Sequence, residues 1–435
     1  AISYLQYKSQ WETFLAMIMP PMVPVYDVNG NWAGPAGLDD FDNPVRKMTM
    51  GKDNINNYVK IIGNVFADLN IWNGISARTQ FGINYGNSYS RTVDGAYVET
   101  GFRGNDKNYV RNNQSHPLNY VWTNTLSYNK SFGKHHIDAV FGSEFTRYVQ
   151  EGFYASREGL YLEDRDFAGL SVATGDEIDV SSSADEYTYF SLFAKANYSY
   201  AGKYLLSATV RRDGSSRFGT ENHWGTFPSG SLAWRASEED FIKNLGVFSN
   251  LKVRAGYGVT GNERIGDYAS YALVSTSHVT LDGANNTPGT HLSQSSPENS
   301  KLKWETTTQY NVGLDMGFLN DRLSVTVDAY WKKTKDLLLK VSLPYYTGFT
   351  SGQQNVGAIS NKGVEIDITS HNLTGKFVWD TKFNMAFNRN KVLDLGSNGD
   401  IRITSAKPLG TVSENAYAIV REGESLGSLY GWKYI

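Results

Sequence analysis

The chain has 435 residues, with 44 acidic and 41 basic side chains and a formal charge of -3 at pH 7. A chain of this length can bury a large core or divide into several domains. Its 40% of hydrophobic residues exclude a disordered chain. The near-neutral charge leaves no basic surface, so nucleic acid is not an expected partner. The absence of cysteine excludes disulfides, thiol nucleophiles and thiol-ligated metals.

Aromatic residues and glycine are abundant while proline is scarce, with 28 Tyr, 10 Trp and 42 Gly against 11 Pro. This composition is typical of a β-rich protein with many turns. No run of the sequence approaches the roughly 18 apolar residues that a membrane-spanning helix requires. The most apolar segment, residues 14–25, contains three prolines, so no spanning helix is predicted.

The first 57 residues are predicted to be largely irregular. Residues 20–37, PPMVPVYDVNGNWAGPAG, are dense in Pro, Gly and Asn, which is typical of a long loop. The N-terminus lacks the charged start, apolar middle and cleavage site of a signal peptide. The last residues, YGWKYI, end without a turn, as though inside a strand. We therefore expect the chain to be a fragment of a longer protein.

From residue 58 onward the dominant signal is an alternation of apolar and polar side chains. It is clearest in residues 187–261, where Phe190 and Leu192 share one face of a run whose other face carries Ser191 and Lys195. Such alternation predicts strands, because successive side chains leave a strand on opposite faces. Runs of about ten to twelve residues, tilted near 45°, rise roughly 25–30 Å, which is the thickness of a hydrocarbon layer.

The predicted connections alternate in length along the chain. Brief turns are expected near residues 72, 132, 201, 320 and 373, and the 237–249 connection is grouped with them. Extended polar loops are expected near residues 105, 167, 218, 285, 347 and 407. In a sequential antiparallel sheet, all short connections then lie at one end and all long ones at the other. This is the asymmetry of outer-membrane barrels.

These patterns predict an all-β fold, an antiparallel transmembrane β-barrel with short periplasmic turns and long extracellular loops over residues 58–435. Residues 1–57 are expected to supply a long loop and an early barrel segment. The roughly fifteen candidate strands do not match a small closed barrel, and bacterial outer-membrane barrels use even strand numbers, up to 22 and beyond. A soluble β-sandwich or β-solenoid also alternates and stays an alternative. Strand length, aromatic residues near strand ends and loop asymmetry favour the membrane barrel.

The sequence offers no basis for an enzyme. The motif Gly256-x-Gly258-x-x-Gly261 matches the dinucleotide fingerprint, but an alternating strand precedes it and a polar loop follows. Glycines at a strand end are therefore the better explanation. With seven histidines, no cysteine and no Gly-x-Ser-x-Gly motif, no pair of nucleophile and base stands out. We expect neither catalytic residues nor enzymatic activity.

A bound metal or cofactor is not expected either. Asp27, Asn29 and Asn31 resemble the first ligands of a calcium-binding loop. However, Trp32 and Leu38 occupy the positions where that loop requires glycine and glutamate. A turn-rich loop is the simpler interpretation, and calcium stays a minor alternative.

One set of motifs points to a known family. The central motifs are RDGSSRF at 212–218, WG at 224–225, FPS at 227–229 and LKVRAGYGVTGN at 251–262. Further motifs are PVYDVNGN at 24–31, LKWE at 302–305, NVGL at 311–314, DAY at 328–330, NVG at 355–357, NKGVE at 361–365 and GESLGSLYGW at 423–432. In this order, and spread over nearly the whole chain, they resemble the SusC/RagA family of TonB-dependent outer-membrane transporters.

The resemblance implies more than the patterning does. Members of this family carry an N-terminal plug inside a 22-stranded barrel. A short periplasmic segment contacts TonB, which couples import to the inner-membrane proton gradient. A SusD-like surface lipoprotein caps the barrel as a hinged lid, and an oligosaccharide or peptide is held between the two. We expect these 435 residues to be much of the barrel, embedded in outer-membrane lipid, without the plug, the TonB-contacting segment and the C-terminal strands.

If the substrate is a glycan, aromatic loop residues are candidates to stack on sugar faces, namely Trp32, Tyr97, Phe102 and Tyr109. Polar residues predicted to face the lumen are expected to brace it rather than to contact substrate. These are Lys195, Asn197, Arg211, Lys252, Arg254, Glu305, Gln309 and Asp328. Two other hypotheses stay open. One is a TonB-dependent siderophore or cobalamin receptor without a SusD-like partner, and the other is a surface-displayed β-rich adhesin or lectin.

Overall fold

One 13-stranded antiparallel sheet dominates the computed structural model. The structure describes residues 1–7, 11–34, 42–99, 103–280, 288–396, 399–404 and 416–431. Each neighbouring pair in the sheet is antiparallel, and the strand order follows the chain apart from the small hairpins left out of it. Within the described part of the chain, no helix is both long and apolar enough to cross a membrane.

The strands follow one another in chain order as β1 Ile2–Tyr7, β2 Ile55–Trp72, β3 Ile75–Asp94, β4 Tyr97–Glu99, β5 Arg103–Asn105, β6 Tyr109–Phe132, β7 His135–Glu158, β8 Ile178–Tyr200, β9 Tyr204–Ser215, β10 Trp224–Arg235, β11 Phe248–Asn262, β12 Leu273–Thr280, β13 Pro288–Ser296, β14 Glu305–Phe318, β15 Leu323–Lys335, β16 Leu338–Ser342, β17 Ser351–Asn355, β18 Ala358–Thr374, β19 Val378–Asp394, β20 Ile401–Thr404, β21 Ala416–Val420 and β22 Ser428–Leu429. The helices are α1 Trp11–Ile18, α2 Pro44–Met50 and α3 Asp240–Lys243. Two 3-10 turns span Ala236–Glu238 and Tyr345–Thr347.

The main sheet has the order β1-β2-β3-β6-β7-β8-β9-β10-β11-β14-β15-β18-β19. Three small sheets, β4-β5, β12-β13 and β16-β17, belong to its connections, and a fourth, β20-β21-β22, follows β19. The short connections follow β2, β6, β8, β10, β14 and β18, and the long ones follow the strands between them. All short connections therefore lie at one end, here called the short-turn end, and the loops lie at the long-loop end. This confirms the predicted alternation of connection lengths.

Several strands are longer than the alternating pattern predicts. β6 and β7 have 24 residues each and β8 has 23. They extend into the polar stretches near residues 105 and 167, for which the sequence analysis predicts extended loops. The ladder continues there because backbone pairing needs no apolar alternation. The alternation itself stops above the hydrocarbon layer, where lipid no longer selects apolar side chains for one face. The predicted loops are correspondingly shorter in the structure.

The first 57 residues contain regular structure within the predicted loop. β1 pairs with β2 from Ile2 opposite Ile61 to Tyr7 opposite Asn56, and it is the early segment of the sheet. Helices α1 and α2 lie in the connection between these two strands. Asn43 and Pro44 mark the start of α2, because Asn caps a helix N-terminus and proline fits its first turn.

The main sheet has one apolar and one polar face. Leu206 lies opposite Leu232, which lies opposite Ala255, and Ala255 lies opposite Val312, so these residues form one row across four strands. Leu206, Leu232 and Val312 are 45%, 61% and 58% exposed. Apolar side chains thus lie on an open surface, not in a dry core. This is the arrangement of a sheet that faces lipid.

Aromatic residues bound the apolar face at both ends. Tyr200 stacks on Tyr204 at the short-turn end, with ring centroids 6.5 Å apart. Toward the long-loop end Tyr310 packs between Tyr257 and Trp331, at 5.1 and 5.6 Å. Ten positions of strand, as between Phe190 and Tyr200 in β8, rise about 23 Å at a 45° tilt. That height agrees with the apolar band of about 25 Å that barrels show between aromatic girdles.

A buried cluster closes the long-loop end over β10 and β11. Phe218 and Leu302 are fully buried, and Trp304 and Phe227 are 5% and 8% exposed. The ring of Trp304 lies 5.1 Å from that of Phe218 and 5.3 Å from that of Phe227. The RDGSSRF, FPS and LKWE motifs, distant in sequence, therefore meet in one small core.

The motif Gly256-x-Gly258-x-x-Gly261 lies inside the antiparallel strand β11, and no helix follows it. A Cβ atom at Gly261 would overlap the ring of Phe227. The glycines thus provide space beside neighbouring side chains, and the strand has neither the parallel neighbour nor the following helix of a dinucleotide site.

The exchange Phe218→Ala is expected to lower the free energy of unfolding by about 3–5 kcal/mol, because it empties a fully buried site. The temperature at which the folded band disappears in a heat-modifiability gel measures the effect. Phe167→Ala is the matched control, since Phe167 is 68% exposed. Equal unfolding temperatures for the two variants would contradict the assigned core.

The exchange Gly261→Val is expected to lower the unfolding temperature as well, because the added side chain collides with the ring of Phe227. Gly266→Val is the control, since a Cβ atom at Gly266 meets no atom within 4 Å. The same gel assay compares the two variants. A Gly261→Val protein as stable as the Gly266→Val protein would disprove the close contact.

Candidate functional site

The connection between β1 and β2 folds into a module with the β4-β5 hairpin at the long-loop end. Asn43 organises it. Its side-chain Oδ1 accepts hydrogen bonds from the N–H groups of Val45 and Arg46 at 3.0 and 3.1 Å, which caps α2. Its Nδ2 donates to the carbonyls of Val25 and Ala33, both at 2.9 Å. One side chain, 2% exposed, therefore holds the loop before α2 against the helix.

A buried ion pair joins this helix to the hairpin. The guanidinium of Arg46 donates from Nε to Oε1 of Glu99, and the two residues are 4% and 2% exposed. The same Oε1 accepts the N–H of Asn43 at 3.0 Å. Arg46 Nη2 lies 3.3 Å from Asp42 Oδ1. Removing one partner of such a pair leaves an uncompensated buried charge, so the pair makes the position of the hairpin relative to α2 specific.

A groove runs between this module and the top of the sheet. Its floor includes Asn56, Thr92, Asp94 and Arg111. The even-numbered residues of β2 and β3, which include Asn56 and Thr92, share one face of the sheet. Arg111 on β6 lies on the same face, because it pairs with Thr92. This is the face opposite the apolar rows, because side chains alternate along each strand. The groove therefore opens on the polar face of the sheet.

The walls of the groove are mostly polar or charged. They include Arg46, Lys47, Lys52, Asn54, Tyr97 and Asn105. Ion pairs hold several of these charges in place. Lys47 Nζ lies 2.8 Å from Asp42 Oδ2, and Arg111 Nη1 lies 2.9 Å from Asp94 Oδ2. A polar groove with one aromatic wall suits a ligand rich in hydroxyl or amide groups.

The structure brings two of the four predicted aromatic residues into this module. Tyr97 lines the groove, and the guanidinium of Arg46 lies 3.5 Å from the centre of its ring. The backbone of Trp32 forms an isolated β-bridge with the backbone of Glu99. The ring of Trp32 stacks on that of Tyr26, with ring centroids 4.8 Å apart and ring planes at 29°. Trp32 thus lies beside the hairpin but does not line the groove.

The other two predicted residues lie elsewhere or outside the described chain. Tyr109 stands at the start of β6, and its hydroxyl donates to Glu177 Oε2 at 3.5 Å. The guanidinium of Arg111 lies 5.4 Å from its ring. Phe102 lies outside the described residues.

Sequence reasoning missed Asn43, Arg46 and Glu99, which shape the module. The Asn-Pro step at residues 43–44 is a helix-start signal, so α2 is recoverable from the sequence. The pairing of Arg46 with Glu99 joins residues 53 positions apart, and no local pattern indicates it.

The side-chain carboxylate of Asp27 accepts hydrogen bonds from the backbone of its own turn. Asp27 Oδ1 accepts the N–H groups of Asn29 and Asn31 at 2.9 and 2.8 Å. Partial desolvation raises the pKa of this carboxyl, but the hydrogen bonds outweigh it and hold the pKa below its usual value. Leu38 lies outside the described residues. No group of three or more potential metal ligands occurs among the residues that the structure describes.

Charged networks cover the polar face of the sheet. Arg254 binds Asp315 through two hydrogen bonds of 2.9 Å, and its Nη2 also lies 2.9 Å from Asp328 Oδ2. Arg211 donates to Asp213 at 2.7 Å and to Ser191 at 2.8 Å. These arginines are committed to neighbouring strands, which supports their predicted bracing role.

All eight residues predicted to face the lumen lie on this polar face, because each shares its side with the arginine networks in the strand register. They are Lys195, Asn197, Arg211, Lys252, Arg254, Glu305, Gln309 and Asp328.

A further network ties the RDGSSRF motif to the loop after β11. Arg217 donates from Nε to Asp267 at 2.7 Å and from Nη1 to Glu263 at 3.2 Å. Its guanidinium lies 4.1 Å from the centre of the Tyr187 ring. Burial raises the pKa of the Glu263 carboxyl above its ordinary value, although Ser215 and the charge of Arg217 act against this. The RDGSSRF motif therefore stabilises the folded loops at the long-loop end.

Comparisons with known proteins agree with this architecture. The family model described as TonB dependent receptor-like, beta-barrel, matches residues 21–434. The TonB-dependent receptor P3 of Formosa agariphila is 33% identical over 416 residues, which cover 95% of this chain and 41% of that protein. The TonB-dependent receptor SusC of Bacteroides thetaiotaomicron is 30% identical over 419 residues, covering 94% and 40%.

A solved structure gives the same result for the fold. The chain matches the structure of the RagAB peptide transporter with a TM-score of 0.80 and 27% identity, over 93% of this chain and 43% of that one. The chain spans about two fifths of the length of the curated relatives it matches. The apolar outer face, the polar inner face and the loop asymmetry agree with these matches. The chain belongs to the TonB-dependent receptor β-barrel family, on the SusC/RagA side of it, and is an outer-membrane protein.

Proposed function

We propose that the chain is the barrel part of a SusC-like importer, which takes up an oligosaccharide or a peptide through the outer membrane with energy supplied by TonB. The observation that carries this proposal is the polar groove at the long-loop end, which opens on the polar face of a sheet whose other face is apolar. In an outer-membrane barrel the long loops are extracellular and the polar face lines the lumen. The groove therefore lies where a nutrient enters.

The groove is suited to hold the nutrient without covalent chemistry, so no enzymatic step is part of the proposal. Tyr97 offers an aromatic ring, and the guanidinium of Arg46, 3.5 Å from the ring centre, holds it in place. Asn56, Thr92 and Arg111 present donors and acceptors for hydroxyl or peptide groups. Trp32 and Tyr109 stay candidates for secondary contacts.

Two partners belong to this proposal. A SusD-like lipoprotein would cover the extracellular loops as a lid, in keeping with the relative named SusC and the solved RagAB peptide transporter. A segment outside these 435 residues would contact TonB. Import then follows from different substrate affinities of open and closed states, because a ligand shifts an equilibrium only by its differential affinity.

Tyr97→Ala is expected to weaken substrate binding about 2- to 10-fold, since one aromatic contact contributes about 0.5–1.5 kcal/mol. The substrate is first identified by mass spectrometry of the complete transporter purified from native membranes, and its affinity is then measured by calorimetry. Tyr345→Ala is the control, because Tyr345 is 89% exposed at the tip of the β16-β17 hairpin and does not line the groove. Equal affinities of the two variants would refute the groove as the binding site.

Affinity purification of the complete transporter from native outer membranes in mild detergent is expected to yield an abundant lipoprotein in fixed proportion. Mass spectrometry of the purified complex identifies it. A transporter that repeatedly purifies without such a lipoprotein would instead favour a siderophore or cobalamin receptor. A chain that stays monodisperse without detergent would contradict the importer and favour an adhesin or lectin, because an apolar outer face aggregates in water.

A further inference from the structure

The connection between β10 and β11 differs from the other connections at the periplasmic, short-turn end. Most of those are tight turns, whereas residues 236–247 form a 3-10 turn followed by the single helical turn α3. Ala236 and Ser237 are 2% and 7% exposed, so the segment begins packed against the protein. Gly246 takes a φ of 64° just before the chain enters β11. A left-handed residue after a helical turn is a common way to end it.

Glu239 fastens this segment to the lipid-facing side of the sheet. Its Oε1 accepts the hydroxyl of Tyr204 at 2.8 Å and the indole N–H of Trp234 at 3.4 Å. Its Oε2 accepts Lys203 Nζ at 2.8 Å. Tyr204 and Trp234 are cross-strand partners in line with the apolar row of Leu206. Since both point outward, the carboxylate that they share lies at the outer edge of the sheet.

The carboxylate of Glu239, which accepts these hydrogen bonds, is charged under physiological conditions. The ammonium of Lys203, with the hydroxyl of Tyr204, holds the pKa of Glu239 below its ordinary value despite desolvation. The neighbouring carboxylate of Glu238 is paired as well. Glu238 lies 3.0 Å from Lys243 Nζ and 3.4 Å from Arg235 Nη2. Glu238 and Glu239 are therefore both paired within or next to the segment, while Asp240 is exposed.

The apolar side chains of the segment are exposed. Phe241, Leu245 and Val247 are 62%, 58% and 54% exposed. The chain then enters β11 at Phe248, whose ring packs 5.2 Å from that of Phe318 in the neighbouring strand. These residues thus continue the aromatic and apolar edge of the sheet beyond the last strand positions. A short segment that combines paired charges with exposed apolar groups is typical of a membrane interface.

We propose that residues 236–247 form an interfacial foot, with Phe241, Leu245 and Val247 inserted among the phospholipids of the inner leaflet of the outer membrane. The occupant is lipid because the girdle residues Tyr204 and Trp234, which themselves lie at the membrane boundary, hydrogen-bond directly to the segment. Continuity with the lipid-facing surface thus places the foot at the same boundary. The foot would fix the depth of β9, β10 and β11 in the bilayer.

Site-directed spin labelling tests the foot, and the absence of cysteine from these 435 residues makes the label specific. Phe241→Cys is introduced into the complete transporter, with any cysteine elsewhere replaced by serine. The labelled protein is reconstituted into vesicles of phosphatidylethanolamine and phosphatidylglycerol. Collision rates are measured with oxygen, which enters bilayers, and with a water-soluble nickel chelate. We expect the ratio of oxygen to nickel accessibility at position 241 to exceed the ratio at a water-exposed control severalfold.

Tyr345→Cys is that control, because Tyr345 is an aromatic residue in a 3-10 turn at the extracellular end and is 89% exposed. Leu245→Cys gives a second, independent label in the foot. Heat-modifiable gel mobility establishes that each labelled protein is folded. Nickel accessibility at positions 241 and 245 equal to that at position 345 would overturn the foot. Protection from both reagents would overturn it too, since a protein surface and not lipid would then cover the segment.

Discussion

Backbone hydrogen bonding in a medium without water is the constraint on which the rest of this structure depends. No lipid can pair with an N–H or C=O group, so the spanning backbone must form a continuous ladder between strands. The 13-stranded sheet does this through one antiparallel pairing after another. Once the ladder is required, side chains alternate between its faces. Lipid then selects apolar groups such as Leu232 for one face, and water in the lumen selects charged groups such as Arg254 for the other.

Beyond the hydrocarbon layer water can pair with backbone groups, so the constraint is relaxed. At the extracellular end the chain accordingly forms long, folded loops. Strands β6 and β7 continue as a ladder whose outer side is covered by a loop. Val93 and Val110 pack there against Leu160 and Ala173. Other loops condense around Phe218, and the β4-β5 hairpin is held to α2 by Arg46. The proposed nutrient groove exists because these loops are ordered by small cores and buried ion pairs of their own.

The connections at the periplasmic end carry much less structure than those at the extracellular end. Tight turns return the chain at once, and the segment between β10 and β11 is the elaborated exception. There the carboxylate of Glu239 accepts hydrogen bonds from Lys203, Tyr204 and Trp234, so the aromatic girdle and the connection form one unit. The bracing arginines of the lumen follow the same logic. Arg254, for example, ties β11 to β14 and β15 through the carboxylates of Asp315 and Asp328, which stiffens the wall.

The sequence by itself determined the all-β architecture, the position of the turns and the two faces of the sheet, because alternation and turn residues are local consequences of lipid and water. It indicated the family through a different signal, the resemblance of ordered motifs such as RDGSSRF and LKWE. It also indicated loop aromatics, of which Tyr97 lines the groove. It did not give the ends of β6, β7 and β8, since a ladder that extends beyond the lipid has no regular apolar period. Only the tertiary structure decided that Arg46 meets Glu99 and that Asn56 and Arg111 share the groove. These residues are far apart in the chain, and the buried, paired charges that make the Arg46–Glu99 contact specific leave no local pattern in the sequence.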